Sequence, residues 1–274
     1  MGVATPVLPP VVVVQHVAPE TSGAIGRAIE ARGYELRVVR AHLGDEVPRR
    51  LGEAAGLVVM GGPMGVYESG RYAHLRSELA LIEDALAVGA PILGVCLGSQ
   101  LLAAALRASV HRAPRAEIGW APIEWLAAAA RDPVFAPIVG SGLTALHWHG
   151  DMFELPLGAV PLARSALTAH QVFAYEQRAY GLLCHLEVTQ AIVAGMVDAF
   201  ADEARAAGSD PTQIGRDGAR YLPALTGVAP ALFGRWARLL DGRARGVPGA
   251  TRRPDAGRLS WGTRSTPRHA IGVL

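Results

Sequence analysis

A cysteine between two glycines at the end of an apolar run is equipped for nucleophilic chemistry, and Gly94-Val95-Cys96-Leu97-Gly98 has this form. The pattern is that of a nucleophile elbow, a sharp passage from a strand straight into a helix. The turn leaves no room for side chains beside the nucleophile, so Gly94 and Gly98 dispense with theirs. A thiol at the end of a strand and the N-terminus of a helix meets backbone N–H groups and the positive end of the helix dipole. Both favour the thiolate. The N–H of Leu97 is placed to hold an oxyanion. The chemistry this predicts is attack of Cys96 on a carbonyl carbon, with a covalent acyl intermediate.

A thiol nucleophile needs a base, and the base needs an orienting group. Of the nine histidines, His185 is the candidate. It lies at the end of the apolar strand predicted over 180–186, and Glu187 follows it two residues later. Side chains at i and i+2 of a strand share a face, so the carboxylate can fix the imidazole tautomer. The same alternation turns Cys184 the other way, into the core. His147 and His149 also alternate and could suggest a metal, but no third ligand stands at a telling spacing, so no metal is expected.

These groups need a scaffold that brings residues 96 and 185 together. The strand expected at 11–17 opens with four β-branched apolar residues, Val11–Val14, a run that suits burial on both faces, as in a parallel sheet. Further strands are expected at 34–39, 56–60 and 91–95. A helix over 23–32 has Thr21 and Ser22 available as caps and Gly33 as its stop. Another over 74–88 places Leu75, Leu79, Ile82 and Leu86 at helical spacing, and a third spans 97–106. Shorter strands follow near 109–112, 119–125, 143–149 and 160–165, then a long helix over 191–206 and a last one over 230–240. This rhythm predicts an α/β fold, a doubly wound, mostly parallel sheet flanked by helices.

The 274 residues, half of them hydrophobic and 18% charged, allow one large core. Two cysteines are too few for a disulfide scaffold and fit a reduced, cytoplasmic setting. No positive charge precedes the first apolar run, so no signal peptide is expected, and no apolar run is long enough to span a membrane. The net charge of +2 hides an asymmetry: residues 242–274 carry seven arginines against Asp255, or +6, leaving −4 on the rest. The expected organisation is a lead-in at 1–9, a catalytic domain at 10–205, a helical extension at 206–241 and a basic, disordered tail at 242–274. The tail can attract phosphates without specificity, but Trp261 is its one aromatic and a nucleic-acid function is not favoured. A homodimer is compatible with the sequence and not demanded by it.

Taken together, Gly61-Gly62-Pro63, Gly94-Val95-Cys96-Leu97-Gly98-Ser99-Gln100 and His185-Leu186-Glu187 resemble, in order, the motif blocks of the class I (triad) glutamine amidotransferases. The likeness covers roughly residues 10–205 and is nearest to the stand-alone, GMP-synthase-like type. It implies a flavodoxin-like fold with a Cys96–His185–Glu187 triad that hydrolyses the side-chain amide of glutamine and needs no cofactor. It also implies an oxyanion hole at the backbone of Gly62 and Leu97. Substrate contacts are implied at Gly61, Gln100 and, through Trp148-His149-Gly150-Asp151, at His149 and Asp151, whose charge suits an ammonium group. Leu186 replaces the family's usual proline, which is permissive and not catalytic. Nothing resembles an attached synthetase domain or a phosphate-binding loop for ATP, so ammonia would pass to a separate partner synthetase. The same apparatus would serve a γ-glutamyl peptide or amide as substrate, and a non-catalytic regulatory subunit is a further alternative.

Overall fold

The structure, a computed structural model, describes residues 7–244. Most of the expected lead-in, and the expected tail from residue 245 onward, lie outside the described residues. The first half of the chain forms β1 (Val11–Gln15), α1 (Gly23–Glu30), β2 (Leu36–Arg40), β3 (Gly56–Val59), α2 (His74–Ala87), β4 (Ile92–Val95) and α3 (Leu97–Ala105). Then come β5 (Val110–Pro122), β6 (Glu124–Trp125), β7 (Thr144–Phe153), β8 (Ala159–Arg164), β9 (Val172–Tyr175) and β10 (Ala179–Leu182). Four helices close the described chain: α4 (Gln190–Ala199), α5 (Ala201–Ala206), α6 (Pro211–Ala237) and α7 (Leu240–Ala244).

The main sheet has the order β2-β1-β3-β4-β10-β9-β8-β6, and β5 and β7 pair separately. The five strands from β2 to β10 are parallel, and the remaining three join antiparallel. The expected mostly parallel α/β sheet is therefore present. Its inner strands β1, β3, β4 and β10 are buried along their whole length because both faces are covered. Val11 and Val13 meet Ile25 and Ile29 of α1 and Trp236 of α6 on one side, whereas Val12 and Val14 meet Leu75 and Ile82 of α2 and Leu101 of α3 on the other.

Several elements differ from the sequence expectation: β5 runs unbroken from Val110 to Pro122 where two short strands were expected, and β9 was not expected. The helix over 191–206 is broken at Phe200 into α4 and α5. The strand expected to end at 186 ends at Leu182. The helix expected over 230–240 is the end of α6, which begins at Pro211, far ahead of residue 230. Pro223 and Pro230 lie inside α6, and each removes a backbone donor. Burial of Ile214, Leu222, Leu225, Phe233 and Trp236 along one stripe overrides that local cost. Its start was marked in the sequence: Asp210 caps it by accepting from Thr212 N–H at 2.9 Å, and Pro211 occupies the first turn. The helix packs on α1 and α4, so residues 211–237 complete one face of the core. Arg243, counted from sequence in the basic tail, sits in α7 and donates to the carbonyls of Gly52 and Ala54. No helix among the described residues is long and apolar enough to cross a membrane.

Candidate active site

β4 passes into α3 through Cys96, which is held at φ 48°, ψ −111°. A non-glycine residue at positive φ stores backbone strain of order 1–3 kcal/mol, and here it lifts the thiol above the ends of β3 and β4. The flanking glycines are sterically required. A Cβ on Gly94 would stand 2.4 Å from the Gly98 carbonyl oxygen, and one on Gly98 would stand 2.0 Å from that of Val59. Cys96 is buried, and its Sγ–H donates to the Trp148 carbonyl at 3.5 Å. Burial raises its pKa, and His185 and the Leu97 N–H act against that rise.

His185 lies three residues beyond β10, so strand alternation does not place it. An isolated bridge to β7 does, with His185 N–H donating to the Leu146 carbonyl at 2.8 Å. His185 Nδ1 and Glu187 Oε1 are 2.8 Å apart, and both side chains are buried. Nε2 has no hydrogen-bond partner and is left to interact with Cys96. Burial alone would lower the imidazole's pKa. The Glu187 charge and the contact with Cys96 outweigh it and hold His185 well above the ordinary histidine value. Cys184 is fully buried, and desolvation, with Glu187 and Glu117 adding, pushes its thiol far above the usual range. It is core, as expected.

A cavity of about 160 Å³ opens over Cys96, with Gly62, Tyr67, Gln100, Trp148 and Asp151 among its walls. Gln100 Nε2 donates to the Asp151 carbonyl at 3.4 Å. The Asp151 carboxylate faces Arg112 Nε at 3.8 Å and the Tyr67 hydroxyl. Gly61 lies against the nucleophile, since a Cβ there would be 3.2 Å from the Cys96 Cβ. His149 borders the cavity, but its Nε2 turns to Glu117 Oε2 at 3.5 Å and Gln171 Nε2 at 3.3 Å.

Sequence reasoning missed several groups here. Glu20 and Glu203 line the cavity. Glu20 is buried with Oε2 unpartnered. Burial, with Glu187 and Glu203 adding and His185 and His16 opposing, raises its carboxyl to about 7. Glu117 is the third partner that His147 and His149 lacked. It stands on β5 directly opposite His149 of β7, a pairing invisible in linear spacing. Burial opposes its charge, yet His149, His147 and the Ser165 hydroxyl bring Glu117 down to about 2. The ligand-type atoms of Glu117, His147 and His149 lie within 4.8 Å of one another, as do those of His16, His74 and Glu78. In the second trio both carboxylate oxygens are already hydrogen-bonded to the imidazoles.

The fold and this geometry define an α/β protein of the nucleophile-elbow class, with a cysteine, a histidine and a glutamate gathered at the carboxyl ends of parallel strands. The family model for class I glutamine amidotransferases matches residues 20–194, and the chain belongs to that family. It is 38% identical over 187 residues to the glutamine amidotransferase-like protein YfeJ of Salmonella typhimurium, covering 67% of this chain and 78% of that one. It is 33% identical over 184 residues to the glutamine-hydrolysing GMP synthase of Prochlorococcus marinus. That match takes in 65% of this chain and 32% of the synthase, so the chain spans about a third of that relative. Among solved structures, a glutamine amidotransferase of Thermotoga maritima superposes with TM-score 0.75 at 32% identity, covering 84% of this chain and 98% of that one. One from Methylobacillus flagellatus gives 0.74 at 28%, covering 92% and 100%.

Proposed function

We propose that the chain hydrolyses the side-chain amide of glutamine through Cys96, His185 and Glu187. The observation that carries this reading is the strained elbow cysteine beside an imidazole with Nδ1 fixed by Glu187 at 2.8 Å and Nε2 open. The Cys96 thiolate adds to the γ-carbonyl, and the N–H groups of Gly62 and Leu97 hold the oxyanion. Protonated His185 gives its proton to the departing nitrogen, so ammonia leaves and a γ-glutamyl thioester remains. His185 then takes a proton from water as the water attacks, and glutamate is released with the thiol restored. Gln100 and Asp151 contact the α-amino and α-carboxylate groups, and Gly61 shapes the floor. None of these steps calls for a metal or redox cofactor. The ammonia passes to a separate synthetase in the cytoplasm. The amidotransferase domain spans 10–205, with α6 as its structural cover.

One observation favours a second reading, hydrolysis of γ-glutamyl amines or peptides. The cavity presents Glu20, Glu68, Asp151 and Glu203 against the lining cation Arg112, a balance that suits a substrate whose leaving amine carries its own ammonium group, as in a γ-glutamyl diamine or γ-glutamyl-lysine. The test is glutamate release by the purified chain from glutamine and from a γ-glutamyl dipeptide whose second residue is lysine, with Cys96→Ala as control. Cys96-dependent release from glutamine supports the first reading, and release from the dipeptide alone supports the second. No release, with Cys96 inert to a glutamine-mimicking alkylator, would leave a non-catalytic subunit as the better account.

A further inference from the structure

We propose that His16, braced by Glu78 and His74, is a positioning residue that turns the Gly62 N–H into the site. The inference rests on the oxyanion role given to that N–H above. His16 immediately follows β1 and is completely buried. Its Nδ1 lies 3.0 Å from the Gly61 carbonyl oxygen, and its Nε2 lies 2.7 Å from Glu78 Oε2. The other Glu78 oxygen takes His74 Nδ1 at 2.7 Å, so neither carboxylate oxygen is left to swing the His16 ring elsewhere. A carbonyl can only accept, which places a proton on His16 Nδ1.

The consequence follows from peptide geometry. The Gly61–Gly62 peptide is trans, so its C=O and N–H point in opposite directions. Tying the Gly61 oxygen to His16 on one side aims the Gly62 N–H at the other, where Gly62 and Cys96 both line the cavity. This peptide needs such a tie. A Cβ on Gly62 would lie 2.7 Å from the His16 Cβ, so that position excludes a side chain, and one on Gly61 would crowd Glu20 Oε2 and lie 3.2 Å from the Cys96 Cβ. Two glycines in a row leave the peptide plane free to rotate. The rotated peptide would present a carbonyl oxygen where negative charge develops. The hydrogen bond to His16 closes that alternative. The charged groups that face His16 are Glu78 and Glu20. Burial works against its charge, but the Glu78 hydrogen bond and charge outweigh it and raise the ring's pKa above the ordinary histidine value.

The experiment compares wild type with His16→Gln and Glu78→Gln. The readouts are kcat and KM for glutamine, inhibition by glutamate γ-semialdehyde, and alkylation of Cys96 by iodoacetamide. The aldehyde forms a hemithioacetal whose oxygen needs the oxyanion donors, whereas iodoacetamide needs only the thiolate. Loss of a well-aimed donor costs about 10²–10³ in kcat, so a donor left present but mobile should cost roughly 10–100-fold. Aldehyde affinity should fall in parallel, with KM and the alkylation rate within about twofold of wild type. Unchanged kcat and aldehyde affinity, a loss expressed in KM, or an equal loss in alkylation would overturn the proposal. Should neither variant fold, nitrogen NMR of labelled wild type decides: a protonated, exchange-protected His16 Nδ1 supports it and a bare Nδ1 refutes it. Wild type inactive on glutamine and on γ-glutamyl peptides would instead defeat the proposed function, and the NMR result would still judge the hydrogen bond.

Discussion

Replacing Glu187 with glutamine should separate the role of its charge from that of its shape. The amide oxygen can still accept from His185 Nδ1, now 2.8 Å from Glu187 Oε1, so ring orientation and tautomer survive. What disappears is a negative charge buried beside the imidazolium. Two unit charges about 4 Å apart at an effective dielectric of about 20 attract by roughly 4 kcal/mol. That corresponds to roughly three pKa units, or about a thousandfold in the stability of the thiolate–imidazolium pair. The sign follows directly. Glu187 holds His185 above its ordinary value, so its removal lowers His185 and leaves Cys96 under the raising influence of burial. Two assays report it: kcat on the preferred γ-glutamyl substrate, expected to fall about 10²–10³-fold, and iodoacetamide alkylation of Cys96 across pH. In wild type alkylation should rise at the lower pH, because the His185 charge opposes the effect of burial on Cys96. In Glu187→Gln the rise should move to alkaline pH. An unchanged alkylation profile with kcat within about fivefold of wild type would refute the electrostatic reasoning.

Other outcomes follow from the same packing and charges. Gly98→Ala drives a methyl group to 2.0 Å from a backbone oxygen of β3; overpacking of this kind costs about 3 kcal/mol or more, which should lower Tm by about 6–12 °C. A melting temperature within about 2 °C of wild type would show that the elbow has room to spare. Acid should destabilise the fold in two windows. His147 falls from its ordinary 6.5 to about 4 when folded, so its contribution is complete above 6.5 and lost between 6.5 and 4. Glu117 falls from 4.5 to about 2, so its contribution is complete above 4.5 and lost between 4.5 and 2. Each is worth at most about 3 kcal/mol, and a urea midpoint that stays flat from about pH 7 to pH 3 would contradict both.

The parts of this fold that were readable from sequence are those governed by local rules. Val11–Val14 announced a strand buried on both faces because a parallel sheet demands it, and Gly94 and Gly98 announced the elbow because no other residue fits there. His185 and Glu187 were found for a partly incorrect reason. Strand alternation was expected to align them, whereas the bridge to Leu146 does so beyond the end of β10. What stayed hidden depends on pairing between distant segments. Glu117 becomes a partner of His149 through the register of β5 on β7, and Glu78 meets His16 across 62 residues. The long helix α6 was hidden differently, since Pro223 and Pro230 argue against a helix locally and the buried stripe that rescues it is a tertiary effect. Glu20 carried no motif at all, and burial against Gly61 reveals it.

The central claim is that Cys96 forms a covalent γ-glutamyl intermediate. The most direct measurement is mass spectrometry of the chain after acid quenching during turnover of glutamine or a γ-glutamyl dipeptide, with the peptides containing Cys96 and Cys184 resolved. A γ-glutamyl adduct on the Cys96 peptide, absent from the Cys184 peptide and absent in Cys96→Ala, is the expected result. Glutamate production that continues undiminished in Cys96→Ala, or an adduct on Cys184 instead, would contradict the account.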